Sequence, residues 1–551
     1  MTRRAAGFEG GFDYVIAGAG SAGCVLASRL TEDRDAKVLL LEAGGRPRGL
    51  FVNMPVAFPT YASSPRLNWG YVSEPEPGLN GRRIPVLRGK VLGGSSTING
   101  MVYARGHRLD YDDWRAMGLE GWGYADVLPY FKRSERSWLG EGKYHGGSGE
   151  LDVTVPEASC VLSDLVGAAA AAAGYPVTPD YHGEHSEGFM RMEMTVTRRG
   201  RRASTARAFL YPAMRRPNLT VRTGALVSRV LLEHGRAIGI EYIRKGRKER
   251  VRAEREVVLA GGVYGSPQML LLSGIGPATE LREVGVEPVH DLPGVGRNLI
   301  EHPLTFTLNA ARPKTFLRHL RFDRAVVSVL RWVLTGTGPF ATNACAGNIF
   351  LRTEPGCDRP DMQLTCPAGG AAAEPGARIW YPLVRKAPDH GLAVAVSMIR
   401  EDSRGRVTLR SASPADPPRI LFNLFTEPSD VARMIRGIRA AREIYAQEPL
   451  RSLILREIMP GPERTSDADL ERYIRETGQI TQHPVGTCRM GLDEAAVVDA
   501  QLRVRGLERL RVIDASVMPN VPGGNTNAPT IMVAEKGADL IRGRRLPPAE
   551  V

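Results

Sequence analysis

The chain has 551 residues, of which 43% are hydrophobic and 24% are charged, and its formal net charge is +13. A chain of this length exceeds what one hydrophobic core usually serves, so we expect two or more lobes. The positive charge does not indicate nucleic-acid binding, because the arginines are spread along the chain and no basic run is interleaved with aromatic residues that could stack on bases.

The sequence also argues against membrane spans, export and metal sites. No segment offers the roughly 18 uninterrupted apolar residues of a membrane helix, so no integral membrane segment is expected. The basic N-terminus is not followed by an apolar signal core, and the six cysteines include no CxxC pair, which favours a cytoplasmic location with reduced thiols. No metal site is predicted: His182 and His185 lack a third ligand and are expected on the surface.

The first predicted elements form a nucleotide-binding unit. A β-prone run at residues 13–17 precedes a predicted helix at 22–30, and a second strand at 37–41 ends at Glu42, followed by Ala43. The glycines of the intervening turn permit close approach to a pyrophosphate, and the helix N-terminus favours its negative charge. Glu42 is placed to accept hydrogen bonds from ribose hydroxyls, which argues against NADP. The turn reads Gly18-Ala19-Gly20-Ser21-Ala22-Gly23.

A second segment, residues 88–102, distinguishes between dinucleotides. It is crowded with small residues and hydrogen-bond donors, so backbone amides can reach a long cofactor and the edge of a flavin. The fingerprint alone fits FAD or NAD, and this segment favours FAD. Its candidate cofactor contacts are Gly93, Gly94, Ser95 and Met101.

The chain resembles the glucose–methanol–choline (GMC) oxidoreductase family, which binds FAD. The resemblance extends from about residue 12 to residue 540. Because Ile98 stands where some family members have a histidine bonded to the flavin, FAD is predicted to be non-covalent. The blocks that carry the resemblance, in order, are residues 18–23 with 42–44, 89–101, 266–276, 294–299, 481–490, 510–519 and 523–530.

The resemblance implies an α/β fold with two lobes. A Rossmann-like FAD-binding lobe is expected from residues 1–154, 201–304 and 471–551. An inserted α+β substrate lobe, built on an antiparallel sheet, is expected from residues 155–200 and 305–470. The pattern of the second lobe agrees, because residues 393–399 and 406–409 predict strands and apolar spacing predicts a helix at 429–447.

The resemblance also implies roles for residues near the far end of the chain. His483 is the expected base, a role that suits histidine because its usual pKa is about 6.5. Asn527 is expected to hold the alcohol oxygen through its amide. Further FAD contacts are implied by the resemblance at seven positions. They are Asn99, Gly100 and Val102 near the flavin, Val227 near the adenine, and Asp514, Ala515 and Thr526 near the ribityl chain and ring.

The predicted function is FAD-dependent oxidation of a non-sugar primary alcohol, aliphatic, glycol-type or benzylic, to the aldehyde, with oxygen, a quinone or another molecule as electron acceptor. Choline is a less favoured substrate, because a quaternary ammonium is bound by aromatic cages and only 7% of the chain is aromatic. A flavoprotein lyase similar to hydroxynitrile lyases is the alternative reaction class.

Overall fold

The structure is a computed structural model that describes residues 8–157, 162–312, 315–354, 356–371 and 390–551. None of the helices in these ranges is both long and apolar enough to cross a bilayer. The helices are α1 (Ser21–Leu30), α2 (Phe58–Ala62), α3 (Arg108–Ala116), α4 (Tyr124–Ser134), α5 (Ser163–Ala172), α6 (Tyr211–Ala213), α7 (Gly262–Leu272), α8 (Ala278–Glu283), α9 (Phe322–Thr335), α10 (Pro428–Tyr445), α11 (Asp467–Thr477) and α12 (Asn527–Ile541).

The strands of the described residues belong to two large sheets and several short pairs. They are β1 (Gly11–Ala17), β2 (Val38–Glu42), β3 (Tyr71–Val72), β4 (Pro85–Val86), β5 (Glu135–Ser137), β6 (Leu151–Val153), β7 (Gly188–Arg191), β8 (Leu219–Thr223), β9 (Ala225–Glu233), β10 (Arg236–Arg244), β11 (Arg247–Leu259), β12 (Ile275–Gly276), β13 (His290–Asp291), β14 (Pro303–Ala311), β15 (Cys345–Leu351), β16 (Met362–Pro367), β17 (Gly370–Ala371), β18 (His390–Met398), β19 (Arg406–Thr408), β20 (Arg419–Leu421), β21 (Ile454–Met459), β22 (Gln479–Ile480) and β23 (Leu510–Val512).

The first large sheet confirms the Rossmann-like lobe. Its order is β8-β2-β1-β11-β10-β9, and β23 pairs with β11. Strands β8, β2, β1, β11 and β23 run parallel, whereas β9, β10 and β11 form antiparallel hairpins. Every residue of β2 is buried, as expected for a central parallel strand covered on both faces. The predicted first strand is β1, the predicted first helix is α1, and the predicted turn lies between them.

The second large sheet is antiparallel, as predicted for the substrate lobe. Its order is β21-β14-β18-β16-β15-β7, with β17 and β22 pairing at β18 and β14. Strand β7 comes from the first expected insert, and β15 to β18 and β21 come from the second. Strand β14 begins at Pro303 and β22 lies at residues 479–480, so the sheet reaches slightly beyond the expected inserts. The residue bounds of the two lobes stay a prediction.

One expectation about an exposed loop is wrong. The His182 side chain is buried between the rings of Tyr103 and Tyr181, with centroid distances of 5.3 Å to both, because the turn after Asp180 folds it inward. Its Nε2 lies 3.3 Å from a carboxylate oxygen of Glu193. His185 is exposed as expected. The described cysteines are free, and Cys160 lies outside the described residues.

A buried ion-pair cluster joins helices from the two ends of the chain. Arg29 of α1 lies 2.8 Å from Glu535 of α12 and 2.7 Å from Glu150, and Arg133 of α4 lies 2.7 Å from Glu535. The Glu535 side chain has no exposed surface. Burial alone would lower the pKa of Arg29, but Glu150 and Glu535 hold it above its usual value. The pairing therefore keeps these charges compensated away from water.

We predict that Glu535→Ala lowers the free energy of unfolding by about 3–5 kcal/mol, because it leaves two arginines buried with an incomplete set of partners. Urea unfolding of the holoprotein, followed by circular dichroism, measures the change. The matched control is Glu508→Ala, which removes a largely exposed pair with Arg236 and should cost less than about 1 kcal/mol. Equal effects of the two substitutions would show that the buried cluster does not hold the chain ends together.

Candidate active site

The dinucleotide-binding turn lies between β1 and α1. Gly18 has φ +105°, a left-handed value that favours glycine, and a Cβ at Gly23 would lie 1.8 Å from the Gly18 carbonyl oxygen. Helix α1 begins at Ser21 without a side-chain cap at Gly20, so its first amides are open to an anion. The backbone conformation of this turn is therefore the one that the glycine fingerprint predicts.

Glu42 lies at the end of β2, beside the same turn. One of its oxygens accepts from the Ala19 backbone N–H at 2.9 Å, and the other accepts from Gly44 at 2.8 Å. Burial raises the pKa of Glu42 to about 7, although both backbone donors lower it. The carboxyl group is thereby fixed at the edge of the cavity described next.

A cavity of about 540 Å³ extends from Glu42 to His483. Most predicted cofactor contacts line it. Three do not: Ala19, Gly23 and Gly93 lie behind its wall, and the Gly93 amide donates to the Ala19 carbonyl at 2.8 Å. The predicted residues in the lining are Gly18, Gly20, Ser21, Ala22, Glu42, Ala43, Gly94, Ser95, Asn99, Gly100, Met101, Val102, Val227, Asp514, Ala515, Thr526, His483 and Asn527.

Asp514 is more constrained than the sequence suggests. One carboxylate oxygen accepts from the Gly262 amide at 2.8 Å and from the Ser266 hydroxyl at 2.6 Å, and the other accepts from the Ser516 amide at 2.8 Å. Asp514 thus fastens the start of α7 to the segment after β23. Any contact with a ribityl hydroxyl must share these oxygens.

At the far end of the cavity, the side chain next to His483 corrects one expectation. The Asn525 amide nitrogen lies 2.8 Å from His483 Nε2. Asn527, which we expected beside His483, instead accepts a 2.7 Å hydrogen bond from the Ser21 hydroxyl. The physical reason is that α12 begins at Asn527, so this residue faces the start of α1, while Asn525 lies in the preceding loop and faces the histidine.

Asn525 is held in turn by the antiparallel sheet. Gln363 of β16 donates to the Asn525 side-chain oxygen at 3.4 Å and to Asn348 at 3.2 Å. With its oxygen accepting from Gln363, Asn525 presents its amide hydrogens to His483. His483 Nε2 is then the acceptor, and its lone pair faces the Asn525 amide.

Two titratable residues behind His483 complete the histidine's surroundings. His302 Nδ1 lies 3.3 Å from His483 Nδ1, which fits a neutral His483 that donates from Nδ1. Glu301 accepts from the His483 backbone amide at 2.6 Å. The sequence analysis missed both residues. They lie shortly after the block at residues 294–299 and just before β14, which places them at the edge of the second sheet.

Burial sets the protonation of these groups. Burial, with a smaller contribution from the charge of Arg88, lowers the pKa of His483 to about 3. Burial likewise lowers the pKa of His302 well below its usual value and raises the pKa of Glu301 to about 7. His483 is therefore neutral near pH 7, and its lone pair at Nε2 can accept a proton.

Arg202 was also missed from the sequence. Its buried guanidinium donates to the Asn99 carbonyl at 2.7 Å, to the Asn99 side-chain oxygen at 2.8 Å and to the Ser96 carbonyl at 3.2 Å. Burial lowers its pKa to about 9. It fixes the segment that supplies Asn99, Gly100 and Met101 to the cavity.

The part of the wall around Asn525 that the second sheet supplies is uncharged, and the cation in the described lining is Arg88. Among the described residues, the carboxylates in the cavity lining are Glu42 and Asp514, which both lie at the dinucleotide end. The wall supplied by the second sheet and the segment before it carries amides, hydroxyls and small apolar groups. These residues are Leu304, Asn343, Cys345, Gln363, Thr365, Ala395 and Ser397.

Two of the four aromatic rings in the described lining already face cations. Lys90 lies 4.5 Å from the ring centre of Trp69, Arg88 lies 5.5 Å from that of Tyr264, and Tyr71 stacks on Trp69 at 5.6 Å. Phe58 is the remaining aromatic side chain in the described lining. The described lining thus lacks both features that attract a quaternary ammonium, an aromatic cage and a nearby carboxylate.

Comparisons with known proteins identify the family of the chain. The GMC oxidoreductase family models match residues 12–304 and 401–534. The chain is 44% identical to an oxygen-dependent choline dehydrogenase of Pseudomonas fluorescens (strain SBW25), over 97% of this chain and 94% of the relative. It is equally identical to one of Stenotrophomonas maltophilia (strain K279a), over 97% and 95%.

Solved structures show the same fold. Pyridoxine 4-oxidase from Mesorbium loti is similar with a TM-score of 0.85 and 30% identity, over 97% of this chain and 100% of that one. Formate oxidase from Aspergillus oryzae RIB40 is similar with a TM-score of 0.89 and 26% identity, over 98% and 99%. The predicted family and fold class are confirmed: the chain belongs to the GMC oxidoreductase family of FAD-dependent enzymes that act on CH–OH groups.

Proposed function

We propose that the protein oxidises an uncharged primary alcohol to the aldehyde, with His483 as the base and Asn525 as the donor that holds the alcohol oxygen. The observation that carries the proposal is the His483–Asn525 pair, at the end of a cavity that is continuous with the dinucleotide-binding turn. FAD, when bound, supplies the acceptor for the hydride, and the electrons then pass to oxygen, a quinone or another acceptor.

The residues present fit FAD. The left-handed Gly18, the close packing of Gly23 on the Gly18 carbonyl and the open amides at the start of α1 form a cradle that side chains would fill. Glu42 would bind the ribose, and residues 94–102 would bind the flavin end. Ile98 lines the cavity and cannot form a covalent bond to the flavin, which supports non-covalent binding.

We predict that Gly94→Ala weakens FAD binding by roughly tenfold or more, since overpacking costs about 1–3 kcal/mol. Gly94 has φ +52°, and a Cβ there would lie 2.7 Å from Gly20 Cα in the dinucleotide-binding turn. Gly45→Ala is the matched control, because nothing lies within 4 Å of its Cβ position. The ratio of flavin to protein absorbance at increasing FAD concentration measures binding. Equal flavin affinity in both variants would contradict this assignment of the cradle.

The chain's own groups manage the proton of the reaction. In the free enzyme the Asn525 amide fills the acceptor site of His483. A bound alcohol inserted there would donate its hydroxyl hydrogen to His483 Nε2 and accept from Asn525 on its oxygen. His483 takes the proton as the α-hydrogen leaves as hydride, and the C–O bond becomes a carbonyl. Holding the oxygen at two points also fixes the direction of the C–H bond.

We predict a graded loss of flavin reduction in three variants. His483→Ala should slow reduction by an alcohol by about 10²–10⁴-fold, because the base is lost. Asn525→Ala should slow it by about 10²–10³-fold, the effect of removing one donor to a developing oxyanion. Asn527→Ala, the matched control, should leave the rate within a few-fold and weaken FAD retention, because it loses the bond to Ser21.

Anaerobic stopped-flow absorbance on FAD-loaded variants measures these rates. A larger rate loss in Asn527→Ala than in Asn525→Ala would restore Asn527 to the alcohol-binding role. Unchanged reduction in His483→Ala would refute the proposed base.

The uncharged wall around Asn525 supports an uncharged substrate. A quaternary ammonium buried there would lose its hydration without gaining a nearby carboxylate or a cage of several free aromatic faces from the described lining. Choline is the second candidate substrate, because two relatives at 44% identity are named choline dehydrogenases. The charge of the alcohol thus separates the two candidates.

We predict that 3,3-dimethylbutan-1-ol, the uncharged analogue of choline with nearly the same shape, has a kcat/KM at least roughly tenfold above that of choline, a difference of about 1.4 kcal/mol. Steady-state assays with an artificial electron acceptor measure both values. The pair controls for size, so the difference reports charge alone. A higher kcat/KM for choline would assign the site to the cationic alcohol.

A further inference from the structure

Helix α9 presents an apolar face to solvent. Six of its side chains are large, hydrophobic and exposed, with Val327, Phe322 and Leu334 at 64%, 68% and 80%. Single exposed apolar side chains are normal on a protein surface, but contiguous apolar patches mark interaction sites. The six side chains are Phe322, Val326, Val327, Leu330, Val333 and Leu334.

These residues share one face of the helix. At 100° per residue, positions 322, 326, 330 and 333 fall within about a quarter of the circumference, and 327 and 334 extend the same arc. The opposite side rests on the protein: Ser328 and Trp332 are buried, and the Trp332 indole donates to the Gly200 carbonyl at 2.7 Å. Helix α9 therefore lies flat on the surface, with its apolar face turned outward.

The rim of this face is basic. Helix α9 and the residues just before it carry exposed arginines at positions 318, 321, 324 and 331. The loop beneath adds Arg198, Arg199 and Arg201, and Arg201 lies 5.4 Å from the ring centre of Trp332. Between residues 315 and 341, Asp323 is the single carboxylate; it falls within the exposed arc at the start of α9, where it pairs with Arg321 at 3.3 Å. The apolar face is thus bordered by positive charge with little to neutralise it.

We propose that α9 docks the enzyme on an anionic lipid bilayer, with its apolar face in the boundary between headgroups and acyl chains and its arginines on the lipid phosphates. An amphipathic helix with a wide apolar face and a basic border is the type that lies in the plane of a bilayer surface. A folded protein partner would need a surface of complementary shape. The face of α9 is convex and its arginines are spread along the rim, which suits a fluid anionic surface.

Docking would bring one wall of the cavity close to the bilayer. Gly336 ends α9, and the chain reaches the cavity-lining residues Asn343 and Cys345 a few residues later. The loop under α9 continues into Arg202, which holds Asn99 in the cavity wall. A membrane-bound enzyme would therefore have its substrate wall near the lipid surface.

The test is flotation of the FAD-loaded full chain with vesicles of phosphatidylcholine, with or without phosphatidylglycerol. The proposal predicts binding to vesicles that contain phosphatidylglycerol, weaker binding in high salt because the charges are screened, and little binding to phosphatidylcholine alone. The double variant Leu330→Gln, Leu334→Gln should bind at least roughly tenfold more weakly, since two leucines no longer enter lipid.

The matched control is the double variant Leu455→Gln, Leu492→Gln, which removes two exposed leucines outside α9 and should bind as the wild type does. Both variants should keep the wild-type rate of flavin reduction. Absence of binding by the wild type, or equal binding by both variants, would overturn the proposal. A dimer that dissociates in the Leu330→Gln, Leu334→Gln variant, without vesicle binding, would also overturn it and assign the face to a second copy of the chain.

Discussion

The packing of α1 against α12 is the constraint on which the rest of the structure depends. These helices come from opposite ends of the chain, and the buried Arg29–Glu535 pair joins them in an environment where neither charge could remain alone. The Ser21–Asn527 hydrogen bond joins their first residues. The contact places the loop that carries Asn525 beside the turn that carries the dinucleotide fingerprint. A base at the far end of the sequence can therefore act on a substrate beside a cofactor bound at the near end.

Burial then determines the chemistry available at that junction. His483 lines the cavity against the buried His302 and Glu301, and desolvation moves the pKa of each toward the value that keeps it neutral. In the proposed mechanism, a neutral His483 needs only an orienting partner to act as a directed base, and Asn525 would be that partner. The second sheet controls the orientation, because Gln363 holds the Asn525 amide with its hydrogens toward the histidine. In the proposed mechanism, the inserted lobe would thus orient the catalytic pair as well as supply the substrate wall.

Sequence reasoning predicted the parts of this account that depend on short local patterns. The residues around Gly18 and up to Glu42 predicted a strand, a turn, a helix and a second strand. Each of these elements has a local steric or hydrogen-bonding cause that can be read from neighbouring residues. The choice between Asn525 and Asn527 could not be made in the same way. Both lie in one polar run, and only the start of α12 at Asn527 decides which amide faces the histidine. Glu301, His302 and Arg202 reach the site through tertiary contacts with no local signature, and the exposed face of α9 has a pattern that equally suits a buried helix.

The most direct test of the central claim is a crystal structure of the enzyme with FAD and an uncharged primary alcohol, trapped with the flavin reduced. The account predicts an alcohol oxygen within hydrogen-bonding distance of both His483 Nε2 and the Asn525 amide, with the carbinol carbon facing the flavin. An alcohol held by Asn527, or a flavin ring that does not reach the His483 end of the cavity, would contradict it.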